Sequence, residues 1–171
     1  MSTHTITARG PDTASGLALD LPPRLLDEEF GVGRIVRFEE IDFPRVLTHE
    51  PTRRFLREAG LPEETPWFRL DMDAPLATLE EYAVHELRLA TAVHEALPPG
   101  AARLIRLGEA VDGTSLTIDG VTGTVLSWQG PGTAAQPLNA DVSSLAFLLW
   151  LAHRRETGCL DSAGAPVALG I

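Results

Sequence analysis

The sequence predicts an α+β domain: an antiparallel sheet with helices packed mainly on one face. Three observations predict it. Residues 142–152 form one very apolar run at helical period. Three short stretches before it alternate apolar and polar residues, and glycine-bearing turns separate them. Upstream lie further helical stripes, each with its own cap and stop signals. A chain of 171 residues suits one domain and is long enough for a proper core.

Taken in order, residues 1–19 are rich in Thr, Ser and Gly and lack the basic and then apolar regions of a signal peptide. They read as a disordered tail ahead of a single domain at 20–158, with a loose tail at 159–171. Leu21-Pro22-Pro23 opens a short helix whose apolar contacts are Leu25, Leu26 and Phe30, with Gly31 at its end. Arg34-Ile35-Val36-Arg37-Phe38 comes next as an edge strand, and Phe43-Pro44-Arg45-Val46-Leu47 as a single turn. Thr48 is placed to cap the next helix, with Pro51 in its first turn, Phe55, Leu56 and Ala59 inside, and Gly60 as its stop. Its Arg53 and Arg54 suit a solvated helix face, or else a grip on phosphate. Trp67-Phe68-Arg69-Leu70-Asp71-Met72 is a strand that ends in acidic residues. Thr78 and Glu81 make a capping box for a stripe running through Leu79, Tyr82, Ala83, Leu87, Ala90, Val93 and Leu97. Pro98-Pro99-Gly100 ends that helix.

The second half is an antiparallel meander. Leu104-Ile105-Arg106-Leu107 turns at Asp112-Gly113 into Ser115-Leu116-Thr117-Ile118. A hairpin loop, Asp119-Gly120-Val121-Thr122-Gly123, then leads to Thr124-Val125-Leu126-Ser127-Trp128. Residues 130–135 are a flexible excursion. Asn139 is placed to cap the long helix and Asp141 to sit in its first turn. Val142, Leu145, Ala146, Leu149 and Ala152 form its inner stripe, while Phe147, Leu148, Trp150 and Leu151 fill most of the rest, so it reads as buried on several sides. Arg154 and Arg155 suit the helix C-terminus, and Gly158 its stop. The apolar run is far shorter than the roughly 20 residues a bilayer span needs.

The order of these elements carries a resemblance. Leu104-Ile105-Arg106-Leu107-Gly108, Leu116-Thr117-Ile118-Asp119, Gly123-Thr124-Val125-Leu126-Ser127-Trp128 and then residues 140–147 resemble the core of the SUKH superfamily, bacterial immunity proteins related to the SMI/KNR-like proteins. The run Leu47-Thr48-His49-Glu50-Pro51-Thr52-Arg53-Arg54-Phe55-Leu56, with Gly60-Leu61-Pro62 after it, is similar to the fourth SUKH group. The likeness covers residues 30–157 and rests on order and spacing. It implies an SMI/KNR-like fold, with more helix beyond the long one than this chain holds. It also implies a function: binding a polymorphic toxin in the cytoplasm of the producing cell and blocking it, the toxin often being a basic nuclease or nucleic-acid deaminase. A regulatory scaffold of the SMI/KNR type, or a subunit or enzyme of a biosynthetic cluster, stays open beside it.

Charge and motifs narrow the classes. The net charge is −10, which disfavours direct binding of nucleic acid or an anionic membrane and fits either plain solubility or a basic partner. All basic residues are Arg. No phosphate loop, dinucleotide fingerprint or paired-His zinc spacing is present, and Ser143 and Ser144 lack a nucleophile elbow. Cys159 is the sole cysteine, so no internal disulfide can form, and no base accompanies it. The expectation is therefore no catalytic residue, no metal and no cofactor. Residues 63–86 stand out, with Glu63, Glu64, Asp71, Asp73, Glu80, Glu81 and Glu86 against the single Arg69. Three readings apply to this segment: a solvated acidic face, a surface for a basic partner, or a metal or acid–base site from Asp71, Asp73 and His85 whose spacing matches no known ligand frame. As a toxin-binding surface it would use Trp67, Asp71, Asp73, Glu80, Glu81 and Tyr82, the two aromatics serving as anchors where exposed.

Overall fold

The computed structural model describes residues 7–8, 13–88 and 93–163. Strands β1 (Thr7–Ala8) and β2 (Leu19–Asp20) pair antiparallel, and helix α1 (Leu25–Phe30) comes after them. Strand β3 (Ile35–Val36), helix α2 (Glu50–Glu58) and strand β4 (Leu61–Pro62) come next, β3 pairing with β4 apart from the main sheet. Strand β5 (Phe68–Leu70) leads to helices α3 (Leu79–His85) and α4 (Val93–Ala96). Then come β6 (Leu104–Ala110), β7 (Ser115–Asp119), β8 (Val125–Trp128), β9 (Gln136–Asn139) and the long helix α5 (Val142–Ala163).

Strands β5 to β9 form one antiparallel sheet in sequence order, the α+β architecture read from the sequence. Side chains alternate across it because successive strand residues face opposite ways. Ile105, Leu107, Leu116, Ile118 and Val125 point to one face, where they meet Leu26, Leu56, Val142, Leu145, Ala146 and Leu149. That face carries the main helical layer of α1, α2 and α5. On the opposite face Leu104 and Trp128 meet Leu79 of α3 and Ala101, a smaller core than the first.

An interruption in β6 shapes the face under α3. Arg106 pairs with Thr117, but Gly108 pairs with Leu116, so one residue is extra on β6. This bulge turns an odd spacing into a shared face: Arg106 and Glu109 both project to the α3 side. Gly108 is required there, since a Cβ would lie 2.1 Å from the Arg69 carbonyl oxygen on β5. The outer edge of β6 is covered in two parts. Residues up to Asp71 pair with its second half, and Ala77 and Thr78 with its first, the intervening residues looping out.

Several local expectations shift. Thr48 does not cap α2: His49 holds that position, and the Thr48 hydroxyl donates to the Gly120 carbonyl instead. Asn139 ends β9, and Asp141 caps α5, its carboxylate accepting from the Ser143 and Ser144 backbone N–H groups at 3.0 and 3.2 Å. The edge strand expected over residues 34–38 shortens to β3. The stripe from Leu79 to Leu97 is not one helix, because α3 ends at His85 and Arg88 takes φ of +52°. Helix α5 runs through Gly158 to Ala163. Within the expected N-terminal tail, Leu17 is buried, and Ala18 and Leu19 donate to Asp141 and Ser143 at the head of α5. Residues 1–6, 9–12 and 164–171 of the two expected tails lie outside the described residues.

Candidate functional site

Arg106 is the centre of an open cleft of ≈ 290 Å³ lined also by Arg69, Asp71, Asp73, Tyr82 and Glu109. Its side chain is only 5% exposed. Each of the three guanidinium nitrogens donates a hydrogen bond. Nη1 donates to Asp71 Oδ2, Nη2 to Glu109 Oε2 at 3.2 Å, and Nε to Ser115 Oγ at 3.1 Å. Its flat face lies over the Tyr82 ring, 4.0 Å from the centroid. Planar, weakly hydrated guanidinium suits such a site, because it can stack and still donate in its plane. Arg69 closes the rim with a 2.5 Å hydrogen bond to Glu109 Oε1. That bond holds the Glu109 carboxyl below the usual carboxylate range; partial burial works against it and the Arg106 charge adds to it.

Helix α3 is fixed over this cleft by its N-terminus. The Thr78 hydroxyl accepts from the Glu81 backbone N–H at 3.2 Å, and Glu81 Oε2 accepts from the Thr78 N–H at 2.8 Å. Leu79 and Ala83 are buried against the sheet, which leaves Tyr82 directed at Arg106.

The sequence-derived set is thereby divided. Asp71, Asp73, Glu81 and Tyr82 come together in the cleft, joined by His85 and Glu86. Glu80 lies on another flank of α3, beside Leu97, Pro98 and Ala101. Trp67 lines a separate groove with Leu148, Leu151 and Ala152 of α5. Arg106 and Glu109 are site residues that sequence reasoning does not single out. The one sequence signal for them is an arginine in an apolar strand three residues before a glutamate, and it needs the bulge to acquire meaning.

Asp71, Asp73 and His85 share the cleft, but among the described residues no group of three or more His, Cys, Asp or Glu is placed to hold a metal ion. What the arrangement offers is shape and charge: an aromatic wall, exposed carboxylates at Asp73 and Glu86, and a rigid floor of paired charges. No helix among the described residues is long and apolar enough to cross a membrane.

Comparison with curated proteins finds no match, and comparison with solved structures finds none either. Comparison with protein families does: the model for the SUKH-4 immunity protein matches residues 21–163, which takes in the entire five-stranded sheet and its helices, and the chain belongs to that family.

Proposed function

We propose that this chain neutralises a cognate polymorphic toxin by binding it directly in the cytoplasm of the cell that makes both. The family match over residues 21–163 carries the reading. Charge supports a basic target. A nuclease or nucleic-acid deaminase holds its substrate in a positive groove, and a chain of net charge −10 is drawn to such a groove and can cover it. The proposed contact set is Trp67, Asp71, Asp73, Glu80, Glu81 and Tyr82, acting without metal or cofactor. Its members do different work. Asp73 is exposed and supplies steering charge. Asp71 and Glu81 are held by Arg106 and Thr78, so they act mainly by fixing the shape of the cleft.

Co-expression tests the reading. The toxin encoded beside this gene should arrest cells when expressed alone and not when this chain is expressed with it. Purified chain should also hold the catalytically inactivated toxin domain through gel filtration. Arrest undiminished by this chain, with no complex formed, would remove the proposed function.

A further inference from the structure

Helix α5 is apolar on its outward face as well as its inward one. Leu149 is 6% exposed, whereas its neighbour Leu148 is 49% exposed. Leu148, Leu151, Ala152, Arg155 and Glu156 recur at helical spacing and, with Trp67 from the sheet edge, line an open groove of ≈ 340 Å³. Single exposed leucines are ordinary, but a tryptophan wall facing two leucines is a surface that asks for an occupant. The Arg106 cleft uses none of these side chains.

We infer that this groove receives an apolar side chain of the toxin and is the anchor that sets the lifetime of the complex; the inference rests on the proposed neutralising function. Charge selects the occupant. A second copy of this chain would bring a charge of −10 against −10. The groove's own Arg155 and Glu156 offset each other, so the repulsion comes from the acidic groups of the chain as a whole. A basic partner meets the same groups with the opposite sign. Composition then assigns the role. Tryptophan in an apolar pocket is typical of the few residues that dominate binding energy, whereas exposed charges mainly govern encounter. The groove and the acidic cleft thus divide one binding event into holding and steering.

The test is rate measurement with the catalytically inactivated domain of the toxin encoded beside this gene. Leu148→Gln keeps the charge and should leave the thermal midpoint and association rate unchanged, while dissociation becomes about tenfold faster. Ala152→Gln fills the groove instead of emptying it and should act in the same direction. If both variants dissociate as the wild type does, the groove lies outside the interface and the inference falls, while the neutralising function stands. If the wild type itself fails to bind, the function and the inference fall together. If sedimentation finds a wild-type dimer that Leu148→Gln disperses, the groove belongs to a second copy and the inference is overturned.

Discussion

Arg106 puts a charge where the sheet would otherwise bury an apolar side chain, and its partners make that tolerable. Asp71 and Glu109 are each about one-third exposed, at 32% and 33%, so water can recover them if the guanidinium is removed. Arg106→Met should therefore cost about 1.5–3 kcal/mol, the worth of hydrogen bonds to charged groups, and not the larger penalty of stranding a deeply buried charge. Asp71→Asn should cost less, since Glu109 and Ser115 still hold the guanidinium. Urea denaturation of both variants checks the order, and an Asp71→Asn loss equal to that of Arg106→Met would contradict it. Asp119 offers a pH readout at the same scale. Burial alone would raise its carboxyl, but the Val121 and Thr122 backbone N–H groups and Arg103 more than offset this and hold it low. Folded Asp119 thus ionises more readily than unfolded Asp119. The unfolded chain takes up the proton first as pH falls, and the stabilisation, full above the unfolded value of about 4, fades below it. Asp119→Asn should lower stability most at pH 7, by about 1.5 kcal/mol, with the gap to wild type closing towards pH 3. A gap independent of pH would show that the charge contributes nothing.

Helix α5 begins where Asp141 says it begins. One buried carboxylate accepts from Ser143 and Ser144 and also from the Ala18 N–H, so it caps the helix and pins the N-terminal segment together. Asp141→Ala should cost about 2 kcal/mol, the upper range of cap losses, because both attachments go at once. The inner stripe makes a sharper prediction. Leu149→Ala should cost about 2–5 kcal/mol through lost burial and a residual cavity, whereas Leu148→Ala should lie within about 0.5 kcal/mol of wild type. Equal thermal shifts for the pair would mean that Leu149 does not face the sheet. Legibility at this scale depends on which signals are local. The capping box of Thr78 and Glu81 is readable because both partners lie within one turn. So are the hairpin at Asp119 and the α5 stripe from Val142 to Leu149, whereas Ala152, read as its continuation, is half-buried and lines the Trp67 groove instead. Strand β9 is not, since Gln136-Pro137-Leu138-Asn139 has no alternation of its own and is a strand only because β8 offers an edge. The long stripe from Leu79 overruns α3 for a related reason: periodicity continues on paper past a residue whose backbone turns to positive φ. The site is the least legible part. Acidic residues are visible in a sequence, but which of them are already occupied by Arg106, Arg69 or a helix cap is a tertiary fact.

Across the whole molecule the sheet separates two surfaces, the Arg106 cleft under α3 on one face and the Trp67 groove beside α5 at the other. This division tells how charge should enter binding. Exposed carboxylates raise the association rate, and salt screens them over a Debye length of about 8 Å at physiological ionic strength. Asp71 and Glu81 are unsuitable probes, because neutralising them also disturbs Arg106 and the α3 cap. Asp73 and Glu86 line the same cleft and are exposed, so Asp73→Asn with Glu86→Gln changes the field with little effect on the fold. Against the inactivated toxin domain, the double variant should associate about threefold more slowly at low salt, with a shallower salt dependence. Near 1 M salt, where screening reaches about 3 Å, its association rate should converge on that of the wild type. Dissociation should be the same for both at every salt concentration, since the apolar groove is untouched. Superimposable association curves at low salt would take the cleft out of the encounter. A faster dissociation of the double variant would show that Asp73 or Glu86 holds the bound toxin as well as steering it, paired directly with a basic group.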